Sequence, residues 1–130
     1  DENAALAEEA YAAFAAGDMD ALFATFAEDI LWYEAENHPY AAGNPYVGAE
    51  AIAAGVFSRI GTDWNSFAVE IDTIHASGDT VFATGRYVGE YGDGTPFDAQ
   101  VAHVWTVENG RLARFQQYTD TFQWRAVAGD

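Results

Sequence analysis

The sequence contains no cysteine and no lysine. Without cysteine there is no disulfide, no thiolate nucleophile and no cysteine metal site. Without lysine, all five full positive charges are arginines, set against 21 acidic side chains for a net charge of −16. Such a field repels phosphate backbones and acidic membranes, so nucleic-acid and membrane partners are disfavoured. It also discourages anionic substrates unless an arginine waits inside. Most simply, the acidic excess is a solubility device. No apolar run is long enough to cross a bilayer. The three histidines, His38, His75 and His103, lie in different segments with neither HxH nor HExxH spacing, so no metal site is expected. There is no serine–histidine elbow, phosphate loop or dinucleotide fingerprint, and "GDGT" is a hairpin turn; no cofactor is expected. No secretory signal is visible, and a start at Asp1 rather than Met leaves a trimmed leader open. A cytoplasmic protein is the expectation.

What is present is enough for a packed core. Half of the 130 residues are apolar and 15% are aromatic, which suits one folded domain over residues 1–130. Leu6, Ala10, Ala13 and Phe14 recur at helical spacing. Gly17 suits the left-handed position after a helix end, and Asp18 can cap the next helix, whose stripe is Met19, Leu22, Phe23 and Phe26. A strand follows through Ile30–Glu36. The stretch 37–48, "NHPYAAGNPYVG", is a loop by its prolines, glycines and asparagines. A third helix starts near Ala49 with Ile52, Val56 and Ile60 on one face. From Trp64 the period becomes two. Strands are expected through Ser66–His75, Thr80–Tyr91, Pro96–Val107 and Arg111–Phe122, joined by the short turns "ASGD", "GDGT" and "ENG". Three helices and then a four-stranded antiparallel meander argue for an α+β fold, with helices on one face of a curved sheet and a pocket at its open end.

Alternation assigns faces within a strand. Phe97, Ala99, Val101, His103, Trp105 and Val107 form the more apolar set of their strand, so His103 and Trp105 should face inward together. In Thr80–Tyr91 both faces are partly apolar, which suggests that a second subunit covers the outer one. In Arg111–Phe122 polarity does not decide.

The segments "AGDMDALFATFAEDILWYEAE", "PYVGAEAI", "SGDTVFATGRYVGEY" and "AHVWTVENGRLARFQQYTDT" resemble the NTF2-like superfamily, and within it the SnoaL-like, ketosteroid-isomerase-related proteins. The resemblance covers nearly the whole chain. It implies a cone-shaped fold around a deep apolar pocket, a homodimer, and often no metal or cofactor. Its enzymes isomerise steroids, close polyketide rings or open epoxides; other relatives only bind ligands or assemble. The isomerases carry a general base seven residues after the alanine of an "ADD"-like segment, which from Ala27 falls on Glu34. Their acidic proton donor on a later strand matches His103. The acid of the cyclases, seven residues after the turn glycine, is replaced here by Gln117. Matching also puts Arg86 on the pocket side. The helix-one tyrosine of the isomerases aligns with Ala10, with Tyr11 one place off and turned elsewhere. The arginine of the epoxide hydrolases has a match in Arg86, but its flanking acids are replaced by Val88 and Gln117. Each known activity therefore lacks a part.

Two readings follow. In the first, the protein is a cofactor-free isomerase or cyclase acting on a small apolar carbonyl compound. Glu34 abstracts a proton, its pKa raised by an apolar pocket, and His103 stabilises the oxyanion. Trp32, Tyr46 and Trp105, with Arg86 and Gln117, hold the substrate. In the second, the domain is a non-catalytic ligand-binding or assembly module, a homodimer through its outer sheet, with Glu34 paired to Arg86 and His103 a core histidine. Trp64 reads first as packing, His38 as an exposed loop residue near the mouth, and Asp120 as a structural hydrogen-bonding residue.

Overall fold

A computed structural model describes residues 1–129. The first helix, α1 (Glu2–Ala15), begins at Asp1, whose carboxylate accepts from the Asn3 and Ala4 amides, and buries Ala7, Ala10 and Ala13. Alanine on the buried stripe lets the helix axis approach the sheet closely. Gly17 turns the chain at φ 71°, and Asp18 caps α2 (Met19–Ala24) by accepting from the Ala21 amide at 3.1 Å. Then come β1 (Phe26–Tyr33), a loop, and the short β2 (Tyr46–Val47). A helical run follows: α3 (Ala49–Ile52), a π-helical turn (Ala53–Phe57) and α4 (Ser58–Asp63). Ile52, Val56 and Ile60 repeat every four residues, a spacing that drifts around an α-helix of 3.6 residues per turn; the wider π turn takes up part of that drift.

The strands β3 (Trp64–Ser77), β4 (Thr80–Tyr91), β5 (Pro96–Glu108) and β6 (Arg111–Thr119) form the expected meander. They belong to one six-stranded sheet in the order β2-β1-β6-β5-β4-β3. β1 runs parallel to β6 while every other pair is antiparallel. The architecture is α+β, with helices over one face of a curved, open sheet. Three elements depart from expectation: β1 begins at Phe26, which was expected on the α2 stripe, and ends at Tyr33 rather than Glu36; β2 lies inside the stretch expected as a loop; and the C-terminal strand is cut short. The last strand ends at Thr119, and Thr121–Ala128 forms a helix, α5. Asp120 is its cap, accepting from the Gln123 amide at 3.1 Å, and Trp124 is its one buried residue.

Faces follow alternation except at bulges. In β5 every second residue from Phe97 to Val107 is buried. In β6 the register slips opposite Thr106 and Val107, so Leu112, Phe115 and Gln117 all turn inward. That slip is why alternation alone left this strand undecided. In β4 the inward set is Val81, Ala83, Gly85 and Tyr87. Arg86 therefore lies on the outer face. It is about half exposed, and its Nε donates to Asp98 Oδ1 at 2.5 Å. This corrects the sequence expectation: Arg86 neither lines a pocket nor meets Glu34, because its carboxylate partner lies diagonally across β4 and β5. Two aromatic clusters make up the interior. One gathers Phe26, Trp32, Trp105 and Phe115 beneath α1 and α2. The other gathers Tyr40, Trp64, Tyr87, Phe97 and Trp124.

Candidate functional site

Both clusters contribute walls to one internal cavity, and its lining is almost wholly apolar. Its atom-free space is about 570 Å³ including the mouth, of which about 60 Å³ is open to the centres of water-sized spheres. One water needs roughly 10–15 Å³ by that measure, so a few waters or a small compound fit without rearrangement.

Glu34, the first residue after β1, continues its inward alternation after Ile30 and Trp32. Asn44 holds its backbone in place. The Asn44 carbonyl accepts from the Glu34 amide at 2.9 Å, and its amide donates to the Glu34 carbonyl at 2.8 Å. The side chain is 2% exposed. Burial pushes the carboxyl up to about 8, opposed in part by the Trp32 indole and by the charge of Arg59. The Trp32 N–H lies near the carboxylate but outside hydrogen-bond geometry: neither Trp32 Nε1 nor Glu34 Oε2 has a partner. Glu34 and Gln117 also line a polar surface groove, and so stand between that groove and the cavity.

His103 is buried between two phenols. Tyr11 Oη lies 2.6 Å from Nδ1, and Tyr87 Oη 2.6 Å from Nε2. Burial holds the imidazole down at about 3, and it raises both tyrosines above their ordinary range. All three rings are therefore neutral near pH 7. A neutral imidazole donates from one nitrogen and accepts at the other, so one tyrosine gives its proton to His103 and the other receives one. The Trp105 indole donates to Tyr11 Oη at 2.8 Å and the Gln117 amide to Tyr87 Oη at 2.8 Å. The receiving tyrosine, already accepting twice, keeps its own proton for another acceptor. Tyr11 thus differs from the sequence expectation: it turns into the cavity, because helix α1 presents Ala10 and Tyr11 together at its wall. His103 itself has no free nitrogen, so its reach into the cavity runs through the two hydroxyls.

His38 was expected as an exposed loop residue, yet it is 5% exposed. Asn37 takes a left-handed φ of 69°, and the His38 amide bonds back to the Ala35 carbonyl at 3.1 Å, which turns the ring inward against Trp124 at 4.1 Å between centroids. Burial lowers its pKa to about 3, with the Arg59 charge acting in the same direction. Its Nδ1 accepts from the Tyr40 amide at 2.9 Å, so in the neutral ring Nε2 carries the proton. Nε2 has no partner, and neither has Trp124 Nε1.

Of the residues expected to bind substrate, Trp32, Trp105 and Gln117 line the cavity with Glu34 and His103. Tyr46 does not. Its hydroxyl donates to the Tyr40 carbonyl at 2.6 Å, and its ring lies against the backbone of Gly43 and Gly55, where a Cβ would collide with it. It braces the loop from behind. Trp64 belongs to the second cluster, away from the wall, and its N–H donates to Tyr40 Oη at 3.1 Å. Reasoning from sequence missed Tyr40, Tyr87 and Trp124. Tyr87 had a legible signal, since it faces Ala99 across β4–β5 and Ala99 belongs to the apolar set of its strand. Among the described residues no three His, Asp or Glu side chains group as a metal site would need, and no helix is long and apolar enough to cross a membrane.

A helix-covered curved sheet thus brings a buried carboxyl and a tyrosine–histidine–tyrosine row to one cavity. The SnoaL-like domain family matches residues 7–115, and the chain belongs to that family. An NTF2-like protein from Burkholderia thailandensis is 35% identical, with 97% of this chain and 96% of that one covered and a TM-score of 0.91. Bal32a, from a soil-derived mobile gene cassette, is 29% identical over 97% and 95% of the two chains, with a TM-score of 0.87. TerC, crystallised with polyporic acid, shares the fold at 18% identity, with full coverage of both chains and a TM-score of 0.88. No curated protein matches the sequence.

Proposed function

We propose that the protein binds a small, largely apolar carbonyl compound in this cavity and moves a proton on it without a cofactor. The observation that carries this reading is Glu34: a buried carboxyl whose Oε2 has no partner, on the wall of an apolar cavity, with a pKa near 8. Such a group is a competent base close to neutral pH. Glu34 would take the proton from the carbon next to the carbonyl. The C–H electron pair would move into the C–C bond and the carbonyl pair onto oxygen. The tyrosine hydroxyl left free by the His103 row, on Tyr11 or Tyr87, would donate to that oxygen. Reprotonation at another carbon gives an isomerase, and attack on a second carbonyl a cyclase. The family membership and the TerC co-crystal support a small-molecule ligand.

The test is hydrogen–deuterium exchange at the α-carbon of cyclohexanone in heavy water, followed by NMR. Wild-type protein should catalyse exchange, with a rate rising through about pH 8 as Glu34 ionises. Glu34→Gln should abolish it while cyclohexanone still binds. Equal exchange in that variant removes Glu34 as the base. The exposed outer face of the sheet, where Phe82 is 44% exposed, supports a homodimer formed there. Sedimentation should give twice the chain mass, and Phe82→Glu should give the monomer.

A further inference from the structure

Among the described residues, four buried side-chain polar atoms have no hydrogen-bond partner: Trp32 Nε1, Glu34 Oε2, His38 Nε2 and Trp124 Nε1. All four belong to residues of the cavity wall. Elsewhere the buried polar side chains are satisfied, as protein interiors require. The concentration of exceptions at one place is the mark of a site whose partners come from outside the chain.

The set is also unequal. Trp32 and Trp124 carry indole N–H groups, which only donate. His38 Nε2–H is a donor because Nδ1 is committed to the Tyr40 amide. Three donors therefore stand against one carboxyl oxygen. They are also divided in space. The His38 and Trp124 rings pack together, tilted by 45°, in the wall made by the second aromatic cluster, whereas Trp32 belongs to the first, with Tyr11 packed against it.

We infer that the cavity takes a compact neutral compound with at least two oxygen acceptors, and that His38 Nε2–H and Trp124 Nε1–H bind one oxygen while the other faces the Tyr11 end of the tyrosine–histidine–tyrosine row. Recognition of the oxygen at His38 and Trp124 selects against compounds that carry only one, because a ligand lacking it leaves both donors buried and unpaired. His38 is thus a specificity-determining residue, and α5 is part of the site through Trp124. An organic cation is the rival occupant, since a carboxylate among aromatic rings also suits ammonium groups. The three N–H donors oppose it, because a cation offers them no acceptor.

The inference rests on the cavity being a ligand site but not on Glu34 being a base. It is tested by titrating the whole protein with 1,4-cyclohexanedione, cyclohexanone and trimethylammonium chloride, read by tryptophan fluorescence and calorimetry. Wild-type protein should bind the dione about tenfold more tightly than the monoketone, as one well-made hydrogen bond implies. His38→Phe should erase the preference, bringing the ratio of dione to monoketone affinity to about one. His38→Gln, which restores an N–H donor, should recover part of it. The wild-type comparison needs no variant to fold. Equal affinity for dione and monoketone, tighter binding of trimethylammonium, binding of none of the three, or a preference that survives His38→Phe overturns the inference. A His38-dependent preference without Glu34-dependent exchange would sink the base and leave this inference standing. Glu34-dependent exchange without the preference would do the reverse.

Discussion

Replacing Glu34 with Gln should make the protein more stable, and increasingly so as pH rises. The carboxyl titrates near 8 in the folded chain against 4.5 for an ordinary one. The folded state therefore holds its proton longer than the unfolded state does. Stability from this group is full below pH 4.5 and is lost as pH rises through about 8. At about 1.4 kcal/mol per pH unit the whole gap corresponds to roughly 5 kcal/mol, of which about 3–4 kcal/mol falls between pH 5 and pH 8. Gln keeps the shape and never ionises. His38 and His103 work in the opposite sense, losing stability as pH falls from 6.5 toward 3, but both proteins carry them and subtraction removes them. The assay is urea denaturation of the two proteins at pH 5, 7 and 8. The difference in unfolding free energy, variant minus wild type, should grow by about 3–4 kcal/mol across that range, a relative midpoint shift of about 1–3 M. A difference flat with pH would mean that Glu34 is hydrated or paired in solution, and the case for it as a base near neutrality would fall with it.

Tyr11→Phe leaves His103 Nδ1 and the Trp105 N–H without their partner; it should cost about 2–4 kcal/mol in denaturant melts and slow α-proton exchange at least tenfold, whereas unchanged exchange would exclude Tyr11 from the oxyanion site. Arg86→Ala should alter unfolding free energy by less than about 1 kcal/mol, since its pair with Asp98 is exposed, and should leave cyclohexanone exchange untouched; lost exchange would return Arg86 to the site. Gly55→Ala sets a methyl against the Tyr46 ring and should destabilise by about 1–3 kcal/mol, visible as a lower thermal midpoint.

The elements were legible wherever local chemistry is strong. The alanine stripe of α1, the Gly17–Asp18 break, the β4 boundaries and the inward face of β5 all follow from periodicity, capping and turn residues, which act over a few residues at a time. Glu34 was reached through resemblance and the inward face of His103 through alternation, and both line the cavity. The C-terminal helix was not legible, because "YTDTFQW" continues an alternating pattern and only the Asp120 cap marks the change. Arg86 was misplaced because matching to relatives overrode the alternation that puts it beside Val88 and opposite Tyr87.

By itself the sequence determined the helix and strand periods, the acidic surface, the want of thiol chemistry and the family. Those properties are carried by each residue's own chemistry and that of its near neighbours. Only the tertiary structure decided which polar groups end buried without partners. That outcome depends on where β1, α5 and the loop through His38 are brought together, and a side chain's solvation and pKa are set by groups distant in the chain. The tyrosine–histidine–tyrosine row spans residues 11 to 103, and no local pattern encodes a contact of that reach.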